Sequence, residues 1–288
     1  MRRRRARAGG RLVCKGLGAT RVFGAALIVA ALTGCVARGA TMTGQPGERE
    51  HLHPITDIFG PLVGTICAQV EWRRGFLSEQ PGLTEIVHRS LRPLDIMVVK
   101  NGHRLTDDFI PGFFTHSLIW LGSEQRLRDA GLWDDPRLAA FREPIRSGRS
   151  VVEVDHAGVH LVALEEVWNT DRIVVLRIVA NDEAQHERMA GIYQRVAARL
   201  GEPYDFSFDV DTPSRTTCTE FAARVFADVS WPIRDAFDRR VLVPDDMIRA
   251  AAAPGRPIAV VTYVKATDPA TGYEANMVEL SDDLANVD

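Results

Sequence analysis

The chain has 288 residues, 45% hydrophobic and 25% charged, a composition that matches an ordinary globular protein and excludes disorder over most of its length. Its formal net charge of −3 hides an asymmetry: residues 1–34 hold eight bases and no acid, leaving 27 bases against 38 acids in the other 254 residues, a net charge of −11. So acidic a body excludes nucleic acid as a partner class, because phosphate binding needs clustered Lys and Arg, and four cysteines are too few for a disulfide scaffold.

In chain order, the first element is an address. A basic stretch ending at Arg21 runs into eleven apolar residues, 22–32, the pattern of a signal-peptide core and too short for a comfortable bilayer span. Leu32-Thr33-Gly34-Cys35 follows and resembles a bacterial lipobox. That resemblance implies lipidation of Cys35, removal of residues 1–34, and a lipid-anchored protein facing the periplasm. With Val36 next, the implied destination is the outer membrane. Residues 35–55 read as a flexible tether, small, polar and Gly/Pro-bearing. A single domain is expected over 56–280, and an acidic, frayed tail over 281–288.

Within that domain, β-branched and aromatic residues predict strands at 96–100, 113–121, 151–154, 160–164, 172–179 and 257–264. The clearest helix spans about 182–200, with Glu183 in its first turn, a stripe of Met189, Ile192 and Val196, and Gly201 at its stop. A second starts at Thr217 with Phe221, Val225 and Phe226 on one face. Strands in series followed by helices predict an α+β fold with a largely antiparallel sheet.

The chemistry is sought at the cysteines that remain after Cys14 leaves with the signal and Cys35 takes lipid. Thr217 and Glu220 form a Thr-x-x-Glu capping box, which sets Cys218 in the first turn of a helix. Unpaired amides and the helix dipole there stabilise a thiolate, and the same amides suit an oxyanion. Cys67, among Ile66 and Ala68, reads as a small buried hydrophobe. A thiolate nucleophile needs a base. His116 interrupts the apolar run 113–122, and strand alternation sets it on one face with Phe114, Leu118 and Trp120. It is either a satisfied core residue or a positioned base. Glu153, an acid inside the apolar strand 150–154, is the best placed group to orient the imidazole, with solvent-facing edge-strand acid as its alternative and Asp155 next in line for the role.

These residues lie in segments that resemble the circularly permuted, papain-like hydrolases of NlpC type, the YiiX/YaeF-like lipoproteins. Residues 91–100 are similar to the family's opening strand, 114–122 to its histidine strand, 152–164 to its glutamate strand and hairpin, and 200–206 with 218–221 to the approach to its nucleophile helix. Histidine, glutamate, cysteine is the order that permutation implies. Leu94 stands where the opening motif usually has glycine, and Thr219 where serine often follows the cysteine.

The resemblance implies a curved antiparallel sheet packed on the Cys218 helix. It also implies a Cys218–His116–Glu153 triad that cleaves an amide in a wall peptide or a lipid-linked amide, without metal or cofactor. Histidine spacing likewise offers no HExxH pattern. Tyr204 and Asp205, just upstream of the nucleophile, are candidate substrate-binding residues, or else an ordinary turn after Gly201. Two rivals stay open: a non-catalytic envelope lipoprotein with a Cys67–Cys218 disulfide, and an acyltransferase that uses the same three residues.

Overall fold

The apolar runs of the central sequence pair into one sheet. The structure, a computed structural model, describes residues 71–102, 110–179, 185–236 and 239–285. Cys35, Cys67 and the signal, lipobox and tether readings lie outside these residues. Among those described, the strands are β1 (Ile96–Lys100), β2 (His116–Trp120), β3 (Arg149–Asp155), β4 (Gly158–Ala163), β5 (Arg172–Ile178), β6 (Arg234–Ala236), β7 (Arg239–Val241), β8 (Ile258–Ala266) and β9 (Gly272–Glu274). The helices are α1 (Pro81–Ser90), α2 (Glu124–Asp129), α3 (Ala139–Arg146), α4 (Leu164–Val167), α5 (Gln185–Ala197), α6 (Cys218–Val225), α7 (Pro244–Ala252) and α8 (Met277–Ala285). Seven strands form one sheet in the order β4-β3-β2-β1-β5-β8-β9, every neighbouring pair antiparallel. The α+β expectation, all six strands and both helices are therefore present, with strand ends shifted by a few residues, while the expected start of the first helix, with Glu183, lies outside the described residues.

The sheet is buried on both faces, which explains why β1 and β5 read as continuous apolar runs rather than alternating ones. On one face Ile96, Val98, Ile119, Val152 and Val174 pack with Phe221 and Val225 of α6, Tyr193 of α5, Met247 of α7 and Leu280 of α8. On the other, Met97, Val99, Leu118, Trp120, Val151 and Ile173 pack with Leu83 and Val87 of α1 and with Leu164 of α4. The expected single face of Phe114, Leu118 and Trp120 is thus corrected. Phe114 precedes the ladder and belongs to the first cluster, whereas Leu118 and Trp120 belong to the second.

The expected acidic tail is also corrected over 281–285, which complete α8, with Leu280 and Leu284 buried. Asp283 pairs with Arg172 at 2.5 Å and with Lys265 at 3.6 Å, and it accepts from the Tyr263 hydroxyl.

The turn into β1 holds Leu94 at φ +70°, the left-handed region that glycine adopts freely. Hydrogen bonds on both sides impose it: the Leu94 amide donates to the Trp120 carbonyl at 2.8 Å, and the Asp95 amide to that of Arg92 at 3.0 Å. Arg177 clamps the buried Asp95 carboxylate through Nε and Nη2 at 2.8 and 2.6 Å. Leu94 is nonetheless almost fully buried in the core. Backbone strain of about 1–2 kcal/mol is set against a side chain whose truncation costs about 2–5 kcal/mol. In urea denaturation, Leu94→Ala should lose about 2–5 kcal/mol, because it gives up the burial and keeps the strain. Leu94→Gly should lose less than Leu94→Ala, reversing the usual order of these two substitutions in a strand or helix. A glycine variant less stable than the alanine variant would contradict the strain argument.

Candidate active site

Residues 217–220 start α6 as their sequence dictates. Thr217 is extended at φ −88°, ψ 172°, its Oγ1 accepts from the Glu220 amide at 3.3 Å, and Glu220 Oε2 accepts from the Thr217 amide at 3.1 Å. The capping box is complete. Cys218 follows as the first helical residue, where the amide has no partner within the helix and the dipole favours negative charge. It is buried and carries a free thiol among the described residues. Thr219 turns its hydroxyl to the Leu242 carbonyl at 2.6 Å, tying the helix start to the segment before α7. Burial raises the Glu220 carboxyl to about 7, against the opposing pull of the Thr217 amide.

The segment leading to α6 is braced from the helix itself. Arg224 donates to the carbonyls of Arg215 and Thr212, both at 2.6 Å, and to Glu202 Oε1 at 2.9 Å. Glu202 meets the β3–β4 hairpin, where the Val159 amide donates to the Glu202 carbonyl at 2.9 Å. Gly158, at φ +89°, lies so close that an added Cβ would stand 2.4 Å from that carbonyl oxygen. Contact with no room for a methyl group couples the strand of Glu153 to the approach to Cys218.

His116 opens β2. Upstream, the buried Asp245 at the start of α7 accepts from the amides of Phe113 and Phe114 at 2.9 and 2.8 Å, fixing the chain as it enters the strand. β2 pairs with β1 from His116 to Ile119, but with β3 only at Ile119 and Trp120. Beyond that two-residue ladder, His116 Nε2 meets Glu153 Oε1 at 3.2 Å, and both side chains are largely buried. Glu153 stands opposite His160 in the β3–β4 register, its second oxygen 3.9 Å from His160 Nε2.

The three residues singled out from sequence meet in one place. Cys218 and His116 lie close enough that each shifts the other's ionisation, while Nε2 of the imidazole faces Glu153. Burial alone pulls the imidazole down and pushes the thiol up. The neighbours reverse both. Cys218 and then Glu153 raise His116 to about 10, while His116 and the Ser117 hydroxyl and amide bring Cys218 below its usual value. This arrangement favours thiolate and imidazolium over the neutral pair.

The two candidate substrate-binding residues have different places. Tyr204 bridges to Thr216 and stacks edge-on with Phe206 and Phe208 at 4.9 and 6.1 Å. Burial holds its hydroxyl well above the usual value, with Cys218, Glu220, Asp205 and Asp155 adding to the effect. It is a neutral donor beside the thiolate. Asp205 is fully buried and accepts from the Ser207 amide at 2.8 Å, the Ser207 hydroxyl at 2.6 Å and the Asp209 amide at 3.3 Å. It fixes the loop after Tyr204.

Ser117, Arg224 and Asp245 were not singled out from sequence. Of these, only Arg224 carried a readable signal, its i,i+4 spacing from Glu220.

A family model described as a permuted papain-like amidase enzyme, YaeF/YiiX, C92 family, matches residues 90–280. No curated protein and no solved structure matches the chain.

Proposed function

The chain belongs to the permuted papain-like amidases of the YaeF/YiiX, C92 family, and from that membership we propose that it is a cell-envelope enzyme that opens an amide in a wall peptide or a lipid-linked amide through Cys218, His116 and Glu153. The observation that carries this reading is a free, buried thiol at a capped helix start, paired with an imidazole that Glu153 meets at 3.2 Å.

The residues divide the work as follows. The Cys218 thiolate attacks the amide carbon, and negative charge moves to the carbonyl oxygen. There the Cys218 amide, at the positive end of α6, stabilises it. His116, already imidazolium, gives its proton to the departing nitrogen as the tetrahedral intermediate collapses to a thioester. The neutral imidazole then takes a proton from water, whose oxygen attacks the thioester, and Cys218 returns as thiolate with His116 reprotonated. Glu153 holds the ring in the orientation that points Nδ1 at sulfur and stabilises each imidazolium stage. Tyr204 supports substrate binding as a neutral hydroxyl near the reacting carbonyl.

Activity requires thiolate and imidazolium together. The rate should rise as pH passes the lowered Cys218 value and fall as it passes the His116 value of about 10, giving a bell-shaped profile. The reading is tested by incubating the exported protein with envelope extract and identifying products by mass spectrometry against Cys218→Ala. New amine and carboxylate ends in the wild-type digest alone support it. Identical digests contradict it.

The address is a separate part of the proposal. Among the described residues no helix is long and apolar enough to cross a membrane, and the anchor proposed is lipid on Cys35. Cys35→Ala should move the protein out of the membrane fraction or stall it as an uncleaved precursor. Wild type and mutant both recovered soluble, with the same mature mass, would contradict lipidation.

A further inference from the structure

The Glu153 carboxylate faces a second imidazole. Its Oε1 lies 3.2 Å from His116 Nε2, and its Oε2 lies 3.9 Å from His160 Nε2. The backbone sets the second contact. Glu153 and His160 are directly opposite in the β3–β4 register, so their side chains leave the ladder on one face within reach of each other. The other nitrogen of His160 is also placed: Nδ1 lies 3.0 Å from the Gly158 carbonyl. That oxygen can only accept, so Nδ1 carries a hydrogen. Gly158 is in turn pressed against the Glu202 carbonyl, which holds this end of the hairpin to the approach to Cys218.

With Nδ1 committed, the charge of the ring decides what Glu153 meets. A neutral imidazole would turn the lone pair of Nε2 towards the carboxylate, whereas the imidazolium turns an N–H towards it at ion-pair distance. Asp155 Oδ1 lies 3.7 Å from Nδ1, so His160 stands between two acids of β3. Asp155 is shared with His156, whose Nδ1 lies 3.3 Å from its Oδ2. Acids and imidazoles therefore alternate from the base to the hairpin turn: His116, Glu153, His160, Asp155, His156. Glu202, in the loop that meets β4, is paired with Arg199 and Arg224 at 2.8 and 2.9 Å.

Resting on the reading of Glu153 as the group that orients His116, we propose that His160 is a positioning residue, whose imidazolium pairs with Glu153 Oε2 and keeps Oε1 turned to the base. His160 touches neither substrate nor sulfur, and no proton changes hands. It acts on His116 through Glu153. The terminal torsion of a glutamate is broad, and a cation on one oxygen fixes where the other points. The pairing is present while His160 is protonated and is lost as rising pH removes the Nε2 proton.

The test compares wild type with His160→Ala, His160→Asn and His160→Gln, alone and combined with Glu153→Gln. The readout is the initial rate of amine release from envelope extract, at saturating and at limiting extract. Asparagine sets its amide where Nδ1 stood, so it keeps the Gly158 bond and offers nothing to Glu153. Glutamine sets its amide where Nε2 stood and offers Glu153 a neutral donor. His160→Asn and His160→Ala should slow the saturating rate about 2–5-fold, the range of a partly exposed ion pair, with half-saturation unchanged. His160→Gln should lose less. The gap between His160→Asn and wild type should narrow as pH rises, and none of the three changes should slow Glu153→Gln further. All variants should melt near wild type, because the His160 side chain is partly exposed. His160→Asn at the wild-type rate, or a further loss on adding it to Glu153→Gln, overturns the proposal for His160 alone. Glu153→Gln at the wild-type rate overturns the reading of Glu153 beneath it.

Discussion

Cys218→Ala and His116→Ala should each lose about 10⁴-fold or more in kcat/KM on any amide the protein cleaves, at least 5 kcal/mol of barrier. The two losses should not add. Without sulfur there is nothing for the imidazolium to serve, and without the imidazole the thiol loses its charge partner and the amine its proton donor. The double variant should therefore resemble the single ones, as expected of residues that act as a unit. Neither change should unfold the protein, since each removes a group from a coupled pair without opening the β1–β2 ladder. Measured kcat/KM near wild type in either single variant, with circular dichroism unchanged, would place the chemistry elsewhere.

Glu153→Gln should retain folding and lower turnover by about 10–10³-fold, roughly 1.4–4 kcal/mol. The carboxylate contributes in two ways that an amide cannot reproduce together. It carries the negative charge that favours imidazolium, and it accepts from Nε2 without the ambiguity of an amide that also donates. The aspartate-to-asparagine change in serine-protease triads costs about 10⁴-fold, a case worked out for those enzymes. A cysteine enzyme depends less on its third member, because thiolate and imidazolium already stabilise each other. The alkaline limb of the profile should also move to lower pH in Glu153→Gln, since one of the groups raising His116 is gone. Full activity with an unshifted limb would leave a Cys–His dyad. His160 and Asp155, which lie 3.7 Å apart, would then be the neighbouring groups to replace next.

Much of the site was legible because local rules set it. Thr217 and Glu220 are three apart, and the reciprocal hydrogen bonds that this spacing allows are both made. His116 and Glu153 stood out as polar residues inside apolar runs, and the sheet brings those positions together. What stayed hidden depended on partners distant in sequence. Asp283 read as one more acid in a frayed tail because Arg172 and Lys265, its partners, lie in strands that sequence could not orient towards it. Leu118 and Trp120 were set on the same face as Phe114 because alternation was carried back past the start of the ladder. Alternation holds only once both strands are paired.

Asp205 illustrates a signal present but read differently. An aspartate two residues before a serine is a pattern for a turn in which the side chain caps the backbone amide, and Asp205 makes that bond to Ser207. Ser117 had no signal at all. A serine in an apolar strand says nothing about a cysteine a hundred residues away until the fold sets it among the groups that lower the Cys218 thiol.

The most direct test is competitive alkylation of the intact exported protein with limiting iodoacetamide near neutral pH, followed by peptide mapping of Cys218 and Cys67. A thiol at a capped helix start, paired with His116, should ionise below the roughly 8.5 of free cysteine. Cys218 should therefore be labelled well before Cys67, and His116→Ala should remove that preference. Equal labelling, or labelling of Cys67 first in the wild type, would contradict the assignment of Cys218 as nucleophile.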